Sequence, residues 1–286
     1  MIMKKFAAAC ALLVFWTSCE RIIPFDPEDS DPVLVLYADL NPNLSLRAHL
    51  SRSVGILDQS DPQRISDAIV WIEDSAGFAL DTLTPDPLDA GYYRSPLKPS
   101  AGHGYTVKAS WPELPVVSGF ARPMALSGSF RMDSIGFSPG NGMFVTPHLI
   151  YRVAIDDDGV PGFYRLEFYE DQNDTAFGQQ VIYAGTDDPM VSQPVFGGNF
   201  GGDISFDNAL FLGQRRELVV RVYKWSLSSP TKMKVSKVDE ASARYRRSFE
   251  NAQNSAGPFT QPVPIYSNVQ GGFGLVGGQG HLWIRP

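Results

Sequence analysis

From Val33 onward, short apolar runs alternate with clusters of Gly, Pro, Asp, Asn and Ser, the pattern of strands joined by turns. Val33 to Ala38 predicts a first strand. Leu44, Leu46, Ala48 and Leu50 alternate with Ser45, Arg47 and His49, which predicts a half-buried strand with His49 on its polar face. Ala68 to Ile72 predicts a central strand ended by Asp74-Ser75-Ala76-Gly77, with Trp71 expected to fill the core. Ala79–Leu83, Tyr92–Arg94, Tyr105–Ala109 and Val116–Ala121 extend the series, with turns expected at Gly91 and at Gly102-His103-Gly104. About seven strands before Pro123 match an immunoglobulin-like β-sandwich, here without the Cys-Trp-Cys pattern. The expected architecture is all-β, with that sandwich over residues 33–123 and a larger β-rich domain over 124–286.

In the second block the apolar pattern predicts strands at Phe130–Phe137, Leu149–Ile155, Phe163–Tyr169, Gln180–Tyr183, Glu217–Tyr223, Lys232–Val235 and Gly280–Ile284, antiparallel in character. One helix is expected. Ser236 with Asp239 three residues on reads as a capping box; Val238, Ala241, Tyr245 and Phe249 share a face, and Arg244, Arg246 and Arg247 lie largely elsewhere. A core-packed helix with a solvated basic side is preferred over a basic docking helix.

Composition agrees with this picture. In 286 residues, 43% hydrophobic and 19% charged, 26 Gly and 22 Pro supply turns and leave few long solvated helices. The formal charge of −7 offers no basic stripe for phosphates, so nucleic acid is not an expected partner. No segment after Cys19 supplies the ~20 uninterrupted apolar residues a spanning helix needs.

The first 18 residues read as a signal peptide: Lys4 and Lys5, the apolar run Phe6 to Trp16, then Thr17-Ser18. Cys19 at the cleavage point, followed by Glu20 and Arg21, reads as a lipobox, although Trp16 stands where Leu is usual. Acyl chains on Cys19 contribute ~0.8 kcal/mol per buried CH₂, so two or more anchor stably in a bilayer. The alternative is ordinary cleavage that leaves Cys19 as a thiol. Cys10 leaves with the signal, so no intramolecular disulfide is expected and the fold rests on core burial. Residues 19–32, with Asp26, Glu28, Asp29 and Asp31 among Pro24, Pro27 and Pro32, read as an extended tether in preference to a divalent-cation loop.

Candidate chemistry is sparse. Gly136-Phe137-Ser138-Pro139-Gly140 matches G-x-S-x-G with His281 downstream, yet Pro139 has no N–H for an oxyanion hole, so a turn is preferred over a nucleophile. Asp156-Asp157-Asp158-Gly159 could hold calcium but lacks the alternate spacing of such a loop, and a solvated hairpin turn is preferred; Asp203 and Asp207 are read with the same caution. His49, His103, His148 and His281 are scattered without ligand spacing, so no metal or cofactor is expected. Gly271 to Gly280 lacks the Lys-Ser/Thr end of a phosphate loop and reads as a glycine-laced terminal hairpin with Phe273 and Leu275 on one side. Phe196 and Phe200, in the Gly-rich stretch 194–202, are candidate ligand-contact aromatics, with loop packing as the alternative.

The ending Thr17-Ser18-Cys19-Glu20 of the signal, the segment Asp67–Asp74, the Ala90-Gly91-Tyr92-Tyr93 return and the run Pro264–Gly274 together resemble the domain-of-unknown-function 4249 lipoproteins of Bacteroidota. The resemblance implies a non-enzymatic lipoprotein of the outer membrane, held by acylated Cys19 and more often at the cell surface than on the periplasmic face. It also implies a partner, a TonB-dependent receptor of the SusC type, beside which such proteins are often encoded. It carries no catalytic residue. A stand-alone adhesin or structural module that binds glycan or peptide is the alternative, and a Ser138–His281 hydrolase a third class.

Overall fold

Alternating burial along each segment converts the apolar pattern into strands whose inward residues meet in two cores. The computed structural model describes residues 31–55, 58, 60–112, 114–140, 147–170, 180–191, 202–223, 230–255 and 263–286. Residues 32–54 and 60–286 form one unit, and the architecture below is that of its described part. The fold is all-β and sandwich-like, with one helix among the described residues.

The first strands are β1 (Leu34–Leu40), β2 (Arg47–Arg52), β3 (Ile69–Asp74), β4 (Ala79–Pro85), β5 (Tyr92–Arg94), β6 (Tyr105–Ser110) and β7 (Val117–Ala121). They are followed by β8 (Ser129–Ser138), β9 (His148–Asp156), β10 (Phe163–Glu170), β11 (Gln180–Gly185), β12 (Asp203–Asp207), β13 (Arg215–Tyr223) and β14 (Thr231–Val238). Helix α1 (Glu240–Asn254), β15 (Val269–Gln270) and β16 (Phe273–Ile284) complete the chain.

The order β1-β2-β5-β4 forms one layer and β4-β3-β6-β7-β15 a second, with β4 belonging to both. Leu34, Leu36, Leu50, Val70, Ile72 and Val107, all fully buried, fill the space between them. Tyr93 pins this core. Its hydroxyl donates to the Ile65 carbonyl at 3.0 Å and accepts from the Ala68 N–H at 2.9 Å, so a buried polar group is satisfied twice.

The later strands repeat the device. The first half of β10 pairs with β12 and its last three residues with β11, which carries the sheet on through β13, β9 and β8. The second core lies between these layers and is more aromatic, with Tyr164, Phe168, Phe206 and Phe211 around Leu166, Val220 and Val235.

β16 joins the two parts. It runs parallel to β1 and antiparallel to β14, and its Val276 reaches the first core. Gly274 makes the parallel approach feasible: at φ +123°, a Cβ there would lie 2.0 Å from the Leu36 carbonyl oxygen.

Several expectations need correction. The glycine-rich ending is one long strand, not a hairpin of its own, because Gly274, Gly278 and Gly280 admit backbone from β1 and from residues 122–126 against it. Trp71 does not fill the core: Val70 and Ile72 take the inward positions, and the indole N–H of Trp71 donates to Glu73 at 2.7 Å on the outer side. Ser236 is not a cap. Val238 continues β14, so the helix starts one turn later, with Asp239 accepting from the Ser242 N–H at 2.9 Å. Strand β12 was not anticipated, although Ile204 and Phe206 alternate within it and are buried.

Candidate functional site

Strand pairing collects polar groups on one side of the sheet. In β10, Leu166 and Phe168 turn inward, leaving Arg165, Glu167 and Tyr169 on the other face. The register sets Glu167 beside Lys234, and Lys234 beside Trp283; it sets Arg165 beside Ser236, and Ser236 beside His281. Asp203 of β12 lies across from Glu167, and Asp39 and Asn41 extend the face from β1.

The charges are interleaved. Arg165 and Lys234 lie 3.1 Å and 3.6 Å from the Glu167 carboxylate, and the Arg246 guanidinium of α1 donates to Asp203 at 2.7 Å. Asn41, buried, hydrogen-bonds the His281 Nδ1 at 2.9 Å. Burial pushes the His281 imidazole below its usual value, aided by the Lys234 ammonium. Asp39 keeps an exposed edge, yet the crowding of protein around it pushes its carboxyl up to about 6 against the hydrogen bond from Gln279.

At one rim Trp283 stands 42% exposed, in edge contact with Tyr169 at 5.1 Å and with the Lys232 ammonium 5.1 Å from its ring centre. At the other, α1 is fastened by Tyr245, whose hydroxyl bonds that of Tyr37 at 2.9 Å, and by Asp239, which accepts from the Gly278 N–H at 2.9 Å. No side chain described in α1 is fully buried, and Arg246 reaches inward as far as Asp203. Two buried polar atoms of the sheet below, Ser236 Oγ and Arg165 Nε, lack a hydrogen-bond partner among the described residues, while Glu167 Oε2 is held by its ion pairs to Arg165 and Lys234.

The aspartate cluster is engaged otherwise. Asp157 accepts from Tyr164 at 2.7 Å, Asn208 at 2.8 Å, and the N–H groups of Gly159 and Gly213 at 3.0 and 2.7 Å. Asp158 pairs with Lys237, whose side chain is wholly buried, and accepts from Ser127 and the Val160 N–H. Burial works to raise both carboxyls, but these donors overcome it and hold them below the usual range. Asp156 takes Ser129 and Arg215. This turn is thus tied to the second core, with far fewer free acceptors than a solvated hairpin would keep.

Ser138 ends β8 opposite His148, and Gly136 marks a bulge in that strand, while His281 lies in β16 and bonds Asn41. His49 packs on Tyr92 at 4.6 Å, His103 approaches the Ala101 carbonyl at 3.2 Å, and His148 packs on Tyr223 at 5.1 Å. Among the described residues no three His, Cys, Asp or Glu side chains form a cation-holding group, and no helix is long and apolar enough to cross a membrane. Cys19, Phe196 and Phe200 lie outside the described residues. The polar face was missed in the sequence; its local signal was Arg165-x-Glu167-x-Tyr169 and Lys232-x-Lys234-x-Ser236 opposite apolar partners.

A family model described as "Domain of unknown function (DUF4249)" matches residues 20–281. No curated protein matches the chain.

Proposed function

Because the chain belongs to the DUF4249 family, we propose that it is a non-enzymatic binding module of the cell envelope, leashed by acylated Cys19 and serving a TonB-dependent outer-membrane transporter. One observation carries the reading. Cys19 stands between an apolar leader and the Pro/Asp-rich stretch to Pro32, and the family match begins at the next residue, 20.

In this reading the signal over 1–18 is removed and residues 19–32 set the β body off from the bilayer. Asp26, Glu28, Asp29 and Asp31 favour extension, since like charges repel and Pro stiffens the chain. Residues 33–123 act as an immunoglobulin-like half beside the β-rich half 124–286. Association depends on surface complementarity. Ser138 is in register with His148 and His281 bonds Asn41, which gives a Ser138–His281 hydrolase no support.

Detergent extraction of the tagged full chain from its native envelope, followed by mass spectrometry, tests the proposal. Recovery of a TonB-dependent barrel in stable proportion is expected. Repeated recovery of the chain alone would overturn the transporter role, and glycan or peptide binding without a barrel would favour the stand-alone adhesin.

A further inference from the structure

We infer that the exposed edge of β8 is the contact through which two copies of this chain associate, their β8 strands lying antiparallel about a two-fold axis at Met132.

The first support is an edge left open. β8 ends the strand order with β9 on one side only, and no other described backbone segment hydrogen-bonds it. A strand directs about half of its N–H and C=O groups to each side, so this strand of 10 residues offers a row of donors and acceptors that an extended chain would satisfy. The opposite end of the order is closed off by β15, whose 2 residues give no comparable template.

The charge pattern selects the occupant. Arg131 and Asp133 lie on the outer face, 65% and 41% exposed, with Arg131 Nε 2.8 Å from the Asp133 carboxylate. In an antiparallel pair, residues that face one another must point to the same side of the sheet, so a two-fold pairing of identical strands has to be centred on a residue. Centred on Arg131, it sets guanidinium against guanidinium; centred on Asp133, it sets carboxylate against carboxylate. Centred on Met132, it sets each Arg131 opposite the partner's Asp133. Like charges directly opposite destabilise a pair and unlike charges stabilise it, so one register wins. Asp133 is also in register with Arg152 of β9, so this arrangement seats each Asp133 between two arginines.

Geometry points to the same centre. Pairing of β8 with β9 is regular from Ser129 to Ser134 and is interrupted by a bulge at Ile135, which is exposed. Met132 is the middle residue of Ser129–Ile135. Its side chain faces the second core and stays there, so no buried group has to move on association. So short an edge makes a reversible dimer and not an obligate one.

Sedimentation equilibrium on the mature chain carrying Cys19→Ser, which excludes association through acyl chains, tests the inference. A monomer–dimer equilibrium with a dissociation constant of about 10 µM to 1 mM is expected. Arg131→Asp and Asp133→Arg, each alone, should weaken it about tenfold or more, since the two-fold repeats every repulsion, and the two together should restore it to within about threefold. Both side chains are exposed, so the melting temperature of each variant should stay near that of the parent. In the unsubstituted chain, amide exchange in β8 should slow as protein concentration rises. A monomer up to about 1 mM, β8 exchange indifferent to concentration, a dimer insensitive to either reversal, or folded reversal variants that the swap fails to restore would overturn the inference. No envelope or barrel enters this assay, so the inference and the transporter role fail separately.

Discussion

The core between β1–β2–β5 and β3–β6–β7 is mostly aliphatic, whereas the core between β9–β13 and β10–β14 is more aromatic and is flanked by a buried ion pair. In the first, Leu34, Leu36, Leu50, Val70, Ile72 and Val107 are fully buried, and the tyrosine at its heart is tied only to backbone. In the second, Lys237 and Asp158 are paired out of water beside Tyr164, with the Lys237 ammonium 5.2 Å from that ring centre. Two sandwiches bent by the same device, one strand shared between layers, therefore differ in what holds them. The first relies on burial area. The second places charged groups where their loss is costly.

The sharpest way to break this comparison is to remove one member of the pair. Lys237→Ala strands a buried carboxylate and should cost about 3–5 kcal/mol in urea unfolding, while Lys237→Met with Asp158→Leu should regain much of that loss. A single-variant cost under about 1 kcal/mol would place the pair among ordinary surface bridges. In the first core, Leu36→Ala should cost about 2–4 kcal/mol by the same measurement, through lost transfer energy and the cavity left behind.

A smaller effect tests the pin of that core. Tyr93→Phe deletes one hydroxyl serving Ile65 and Ala68 and should cost about 1–2 kcal/mol, read as a lower urea midpoint at an unchanged slope.

The weakest lever is pH, and it acts in opposite directions at two places. Asp157 and Asp158 have depressed carboxyls, so their contribution is present above the unfolded value near 3.8 and is lost as pH falls through their lower folded values. Asp39 is raised to about 6, so its protonated form favours the fold: that contribution is complete below about 3.8 and vanishes as pH rises through 6. Asp39→Asn should flatten the slope of melting temperature between pH 4 and 6 without touching the acid limb. Its exposed edge keeps the effect modest.

How much of this was legible in the sequence depended on range. Strands β1, β3, β6, β9 and β10 follow from local apolar runs bounded by turn residues and β2 from local alternation, and the turns at Gly91 and Gly102, both at positive φ, follow from glycine placement. Trp71 failed because an aromatic weight suggested burial while parity with Val70 and Ile72 put it outside. Ser236 failed because a capping spacing also fits a strand that ends two residues later at Val238. The polar face could not be read at all. Arg165, Ser236 and His281 become neighbours only through pairing of segments about 45 to 70 residues apart, and register of that range leaves no local mark. The parallel β1–β16 pair, joining opposite ends of the chain, is hidden for the same reason.

The proposed envelope anchor depends on the chemistry of one sulfur. Intact-mass measurement of the protein extracted from its native envelope is predicted to give a chain that begins at Cys19 and carries about three acyl chains, found with the outer-membrane fraction. An unmodified Cys19 thiol on protein recovered in the soluble fraction would contradict it.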